Sequence, residues 1–134
     1  MALNRTDTLF ELYSVGRKFR SLVRHKNSDT LLTAAILRAL VRRPLSVSHL
    51  GVMVSMKPSA MSEKVAELMA KGFVEKRQSD DEREESISVS AKGKQEVERT
   101  IIRMHQNCDR VFHGITDREM RTLVSLLNTI TKNL

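Results

Sequence analysis

Apolar residues in the first part of the chain recur every three or four positions, the spacing of one helix face. From about Asp7 to Lys26 this spacing predicts a first helix. A second helix is expected after Ser28, whose hydroxyl suits an N-cap, and before Pro44, since proline disfavours helix in the preceding residue. The predicted buried face of the second helix is Leu31, Leu32, Ala35, Ile36, Ala39 and Leu40.

The stretch after Pro44 carries start and stop signals for two short helices. Ser46 suits the N-cap of a helix that runs to about Met53. Pro58 fits the first turn of the next helix, where its missing N–H is not needed, and Gly72 suits the left-handed residue that closes it. Two short helices joined by a turn of about three or four residues predict a helix-turn-helix.

Two β-strands are predicted after Gly72, in the stretches FVEKRQ and SISVS. In the second stretch Ile87 and Val89 alternate with serines, which is typical of a half-buried strand. The acidic stretch SDDEREE between them then forms the tip of a β-hairpin. A helix-turn-helix followed by a hairpin is a winged helix, and we call this hairpin the wing.

Two more helices are predicted at the C-terminal end. Ser90 suits the N-cap of a long helix from Ala91 to about His113. The sequence TDRE that starts at Thr116 is a capping box for the last helix, whose apolar spacing is close to a heptad seam. The predicted fold is therefore mostly α with a small β-hairpin wing (α+β), a winged helix-turn-helix with N- and C-terminal dimerisation helices.

The first, fifth and sixth predicted helices carry more apolar surface than a small winged domain can cover. We therefore expect them to interdigitate between two copies of the chain; a helical subdomain within a monomer is the alternative. The expected layout of the single 1–134 chain has dimerisation helices at 1–27 and 114–134, a winged-helix domain at 28–93 and a long connecting helix at 91–113.

Composition and charge narrow the function. The 134 residues are 40% hydrophobic and carry a net charge of +7, yet residues 79–85 hold five acids and one arginine. Without that stretch the charge is +11, which fits a polyanion partner such as nucleic acid; a basic surface without a specific partner is the alternative. A lone cysteine fits a reducing cytoplasm, and no apolar run approaches the ~20 residues of a membrane span.

The helix that begins at Pro58 has a candidate reading face. The helix turns 100° per residue. If Met61, Val65 and Leu68 are buried, the residues that face outward are Ser59, Glu63 and Ala66, with Ser62 on the flank. Short side chains let a helix enter the ~12 Å major groove of DNA, where serine donates to phosphates or bases and glutamate accepts from cytosine. The alternative is an ordinary polar surface helix.

The acidic wing tip contains one arginine, Arg83. An arginine at a hairpin tip can enter the minor groove, and Asp81, on the same side of an extended segment, can hold its guanidinium in place. The remaining acids of the tip would be repelled by phosphates, so a solvated tip without a partner is the alternative. Lys76, Lys92 and Lys94 are added candidates for phosphate contacts. The full candidate DNA-binding set is Lys57, Ser59, Ala60, Ser62, Glu63, Lys64, Arg77, Asp81 and Arg83.

The ordered motifs PLSVSHL, KPSAMSEKVAELMAKGFVEKR, DER and SISVSAKG, within Pro44–Gly93, resemble the MarR family of transcriptional regulators (multiple antibiotic resistance regulators). The resemblance implies a winged-helix homodimer that binds a palindromic operator, usually represses, and is often released by a small-molecule effector. The chain departs from the family where Glu63 replaces a frequent arginine, Lys57 a small capping residue and His49 a frequent glutamate.

Other functional classes have weaker support. His105, Asp109 and His113 have a spacing on the fifth helix that could serve a zinc-responsive regulator, whereas Cys108 lies on the apolar stripe as an expected core residue. Enzyme motifs such as Gly-x-Ser-x-Gly or a phosphate-binding glycine loop do not occur, so we expect neither an enzyme nor a cofactor. A winged-helix dimer that binds a protein partner through its acidic wing is the alternative function.

Overall fold

The computed structural model describes residues 4–27, 29–78 and 85–134. In those ranges the chain forms six helices and three strands, one strand more than the sequence predicts. The N-cap expected at Ser28 lies outside these ranges. The elements are α1 (Arg5–Asn27), α2 (Asp29–Arg42), β1 (Leu45–Ser46), α3 (Val47–Val54), α4 (Pro58–Ala70), β2 (Val74–Gln78), β3 (Glu85–Val89), α5 (Ala91–Val111) and α6 (Asp117–Asn133).

Side-chain caps begin α3 and α6 where the sequence predicts them. The Ser46 hydroxyl accepts a hydrogen bond from the His49 N–H at 3.1 Å. Thr116 Oγ1 accepts from the Glu119 N–H at 3.2 Å, and the Glu119 carboxylate accepts from the Thr116 N–H at 3.0 Å. The hydrogen bond from the Thr116 backbone lowers the pKa of Glu119. The predicted capping box is therefore confirmed.

The three strands form one antiparallel sheet in the order β1-β3-β2. Leu45 of β1 lies opposite Ile87, and Val74 of β2 lies opposite Val89. The unpredicted strand β1 has only two residues, too few for an alternating pattern to show in the sequence. Because β3 lies in the middle, the base of the wing is tied to the segment that leads into α3.

A single apolar core joins α2, α3, α4, the sheet and the start of α5. In α2 the buried face is rotated from the predicted one, since Leu37 is fully buried, while Ala35, expected inside, is exposed. Aliphatic side chains and one methionine form this core, in keeping with the 4% aromatic content. The core residues are Ile36, Leu37, Leu40, Leu45, Leu50, Met61, Val65, Leu68, Val74, Ile87 and Val97.

The chain divides into two units, of which the first ends at Thr100 and the second is Ile101–Leu134. No residue of the second unit is buried, and most of its apolar side chains are exposed, with Ile102 at 75% and Leu126 at 56%. Cys108, expected in the core, is also exposed. A single chain thus leaves the apolar stripes of α5 beyond Thr100 and of α6 largely uncovered.

Candidate nucleic-acid interface

Helices α3 and α4 are joined by a tight turn. Ser55 adopts the left-handed conformation with φ 54°, which residues other than glycine seldom adopt. The N–H of Met56 donates to the Gly51 carbonyl at 2.9 Å. A Cβ at Gly51 would lie 3.1 Å from the Met56 carbonyl oxygen, so glycine allows the turn to fold back closely on α3. The two helices thus form the predicted helix-turn-helix.

The orientation of α4 about its own axis follows from its buried residues. Pro58 occupies the first turn, and Met61, Val65 and Leu68 are buried in the core. The opposite face is exposed, as the helical winding predicts, while Ala60 is half-buried at the side. The exposed face offers small and hydrogen-bonding side chains, suited to close contact with another surface: Ser59, Ser62, Glu63 and Ala66.

Lys57 is exposed at the N-cap of α4, and its side chain makes no capping hydrogen bond. This charged residue therefore directly precedes the first turn of the helix. The chain thus lacks the small capping side chain expected from the family pattern and has a positive charge in its place.

Lys64 stands apart from the exposed candidates, since it is only 5% exposed. Position 64 comes three residues after Met61 and one before Val65, so the helix winds it towards the core side. Its ammonium lies 3.4 Å from the Glu67 carboxylate, which also accepts from Lys71 at 2.9 Å. A contact between Lys64 and a phosphate would require this nearly buried side chain to move outwards.

The two lysines also shift the pKa of Glu67. The hydrogen bond from Lys71, together with the nearby Lys64 ammonium, holds the pKa of Glu67 below its ordinary value. A carboxyl group with a lowered pKa stabilises the fold above its unfolded pKa, and this contribution is lost as the pH falls through the folded value. The ion pairs of Glu67 with Lys64 and Lys71 therefore stabilise α4 at neutral pH.

The wing rises from the end of α4 on two paired strands. Arg77 of β2 lies opposite Ser86, whose hydroxyl donates to the Arg77 carbonyl at 3.0 Å, and the Arg77 side chain is exposed. Lys76 lies 3.5 Å from Glu85 in an ion pair that is mostly exposed and so contributes little to stability. Asp81 and Arg83 lie outside the described residues.

The three metal candidates are not brought together as ligands. Within the ranges 4–27, 29–78 and 85–134, no group of three histidine, cysteine, aspartate or glutamate side chains could hold a metal ion. His105, Asp109 and His113 are all exposed. Residues four positions apart on one helix are neighbours only in pairs. No other element among the described residues adds a metal ligand to them.

None of the helices in the described part of the chain is both long enough and apolar enough to cross a membrane.

The helix-turn-helix and the antiparallel hairpin after it define a winged-helix protein. Residues 30–84 match the model of the MarR family, and no curated protein matches the chain significantly. The winged-helix part of the chain is therefore similar to the MarR family, over 55 of the 134 residues.

Solved structures of transcriptional regulators share the fold over nearly the whole chain. The transcriptional regulator BldR from Sulfolobus solfataricus has a TM-score of 0.83 at 20% identity, covering 99% of this chain and 100% of that one. A MarR-family regulator from Rhodococcus sp. RHA1 has a TM-score of 0.81 at 19% identity, covering 100% and 99%. One from Silicibacter pomeroyi has a TM-score of 0.77 at 21% identity, covering 95% and 89%.

Proposed function

We propose that the chain is a repressor that binds a palindromic operator as a homodimer and is released by a small-molecule effector. The observation that carries this proposal is the exposed face of α4, whose side chains are short enough to enter the major groove. Ser59, Ser62 and Glu63 contact base edges or phosphates there, and Lys57 and Arg77 contact phosphates. Arg83 enters the minor groove with Asp81 as the residue that orients it.

The dimer is supported by apolar side chains that a single chain leaves in water. On α1, Leu9, Phe10 and Tyr13 lie on one face of the helix and are 67%, 66% and 65% exposed. On α6 the exposed residues include Val124, Leu126, Leu127 and Ile130. Large exposed apolar surfaces mark interaction sites, and a second copy of the chain can cover both helices.

A two-fold dimer also meets the physical requirement for specificity. One winged helix contacts only a few base pairs, whereas two recognition helices about 34 Å apart read two half-sites one turn of DNA apart. Because each mismatched base pair costs about 1–3 kcal/mol, doubling the contacts multiplies the discrimination.

The proposal is tested by selecting bound sequences from random duplex DNA and measuring their affinity against salt concentration. We expect an inverted repeat, and affinity that falls by about a thousandfold or more between about 50 and 200 mM salt if six or more phosphates are contacted. An affinity independent of salt, or selective capture of a basic protein instead, would favour a protein partner for the acidic wing.

Glu63 is expected to determine sequence preference. The Glu63→Gln change keeps the length of the side chain but replaces an acceptor of cytosine N4 with a group that prefers adenine. In selection experiments we expect a changed base at one position of each half-site, with non-specific affinity altered much less. A uniform change across all sequences would contradict direct readout by this residue.

Arg83 is expected to contribute to affinity through the wing. The Arg83→Ala variant should bind the selected operator about 1–3 kcal/mol more weakly, because one arginine is lost from each minor groove. The circular dichroism spectrum should be unchanged, since the sequence predicts this residue at the tip of a hairpin, away from the core. Binding equal to that of the unchanged protein would rule out the minor-groove role.

A further inference from the structure

The three carbonyl groups directly after helix α4 all accept hydrogen bonds from the start of α5 or from Ser90, which precedes it. The Lys71 carbonyl accepts from the Lys92 ammonium at 2.8 Å. The Gly72 carbonyl accepts from the Ser90 hydroxyl at 2.6 Å. The Phe73 carbonyl accepts from the Ser90 N–H at 2.9 Å. We call this set of contacts the α4–α5 latch.

The residues of the latch are also closely packed. The Ser90 hydroxyl also accepts from the Gly93 N–H at 3.0 Å, so the same side chain caps α5 and holds the end of α4. A Cβ at Gly93 would overlap the Phe73 carbonyl oxygen and lie 2.7 Å from Val89 Cγ2. Only glycine therefore lets the first turn of α5 come this close.

Lys92 holds the outer side of the latch. Its ammonium lies 5.5 Å from the centre of the Phe73 ring, a cation–π distance, while it donates to the carbonyl of Lys71, the C-cap residue of α4. A cation at this end of a helix is also favoured by the helix dipole. The chain turns at Gly72 (φ 77°), and the hydrogen bond from Lys92 ties the residue just before that turn to α5.

We propose that Lys92 is a positioning residue for DNA recognition. It fixes the angle of α4 against α5 and makes no phosphate contact itself, although its position in the sequence suggests one. A small tilt of α4 displaces Ser59 and Ser62 from base edges, and hydrogen bonds weaken steeply with misalignment. The latch therefore contributes more to sequence-specific DNA binding than to non-specific DNA binding. This inference rests on the proposed DNA-binding function.

The test compares Lys92→Met, which keeps the apolar stem but loses the donor, with Lys92→Arg, which restores a cationic donor. Affinity is measured against salt for the selected duplex and for a scrambled duplex of equal length. For Lys92→Met we expect about three- to tenfold weaker binding to the selected duplex, little change on the scrambled one and an unchanged salt slope. Lys92→Arg should recover most of the lost affinity.

A phosphate contact would give a different result. Losing one contact per subunit lowers the salt slope by about 1.8 for a dimer and weakens both duplexes alike, as we expect for Lys57→Gln, which serves as the comparison. That pattern for Lys92→Met, or unchanged affinity for the selected duplex, would overturn the positioning role.

Amide hydrogen exchange without DNA separates this inference from the proposed function. In Lys92→Met we expect faster exchange at the N–H groups of Gly72 and Phe73, which close α4 by bonding to Met69 and Leu68. If the unchanged protein binds no duplex, the proposed function fails while exchange still reports on the latch. Unchanged exchange in Lys92→Met would show that Lys92 does not hold the end of α4.

Discussion

Gly93→Ala is expected to destabilise the chain by about 3 kcal/mol, at the upper end of what overpacking costs in protein cores. The added methyl group would overlap the Phe73 carbonyl oxygen, which cannot rotate away as a side chain can. The first turn of α5 would have to move, which weakens the hydrogen bonds of Ser90 to Gly72 and Phe73. Urea denaturation at a fixed protein concentration measures the loss.

The matched control is Gln95→Ala, which introduces an alanine two positions further along α5. Gln95 is exposed, so its replacement should change the unfolding free energy by no more than about 0.5 kcal/mol. Equal stability of the Gly93→Ala and Gln95→Ala proteins would mean that α5 does not approach Phe73 as closely as described.

Leu127→Glu is expected to abolish dimer formation and to weaken operator binding by about a hundredfold or more. In one chain Leu127 is 41% exposed, with Val124 and Ile130 on the same face of α6. A carboxylate on that face would lose its hydration in the proposed dimer without gaining a partner. Because Leu127 lies outside the core, the winged-helix unit should stay folded. Sedimentation equilibrium at micromolar concentration and binding to the selected duplex measure the two effects.

Ser125→Glu serves as the control, because it adds the same charge on the opposite face of α6, where a second copy is not expected. This variant should remain dimeric and bind DNA with nearly unchanged affinity. If Leu127→Glu also remained dimeric, the α6 face would not be part of the dimer interface.

The sequence predicts the secondary structure well, because the decisive signals are local. Ser46 and Thr116 begin helices with their own side chains, and Gly72 supplies the left-handed residue after α4. The reading face of α4 is predictable because Met61 and Leu68, both clearly apolar, fix the rotation of the helix. Because α4 has only 13 residues, an error in the assumed rotation per residue accumulates little along the helix.

The remaining features depend on contacts between distant residues, which local patterns do not contain. Lys64 is expected outside because lysine is charged, yet its long stem lies along the core and its ammonium reaches Glu67. The latch joins Lys71 to Lys92, 21 positions apart. Cys108 lies on an apolar stripe that this chain alone leaves exposed.

The central claim is that two copies of the chain present paired recognition helices to one face of duplex DNA. Selection from random duplexes, followed by the mass of the complex in solution, tests it most directly. We predict two chains per duplex and an inverted repeat whose half-sites are centred about 10–10.5 base pairs apart. A single chain bound to a site without internal symmetry, or no enrichment of any sequence, would contradict it.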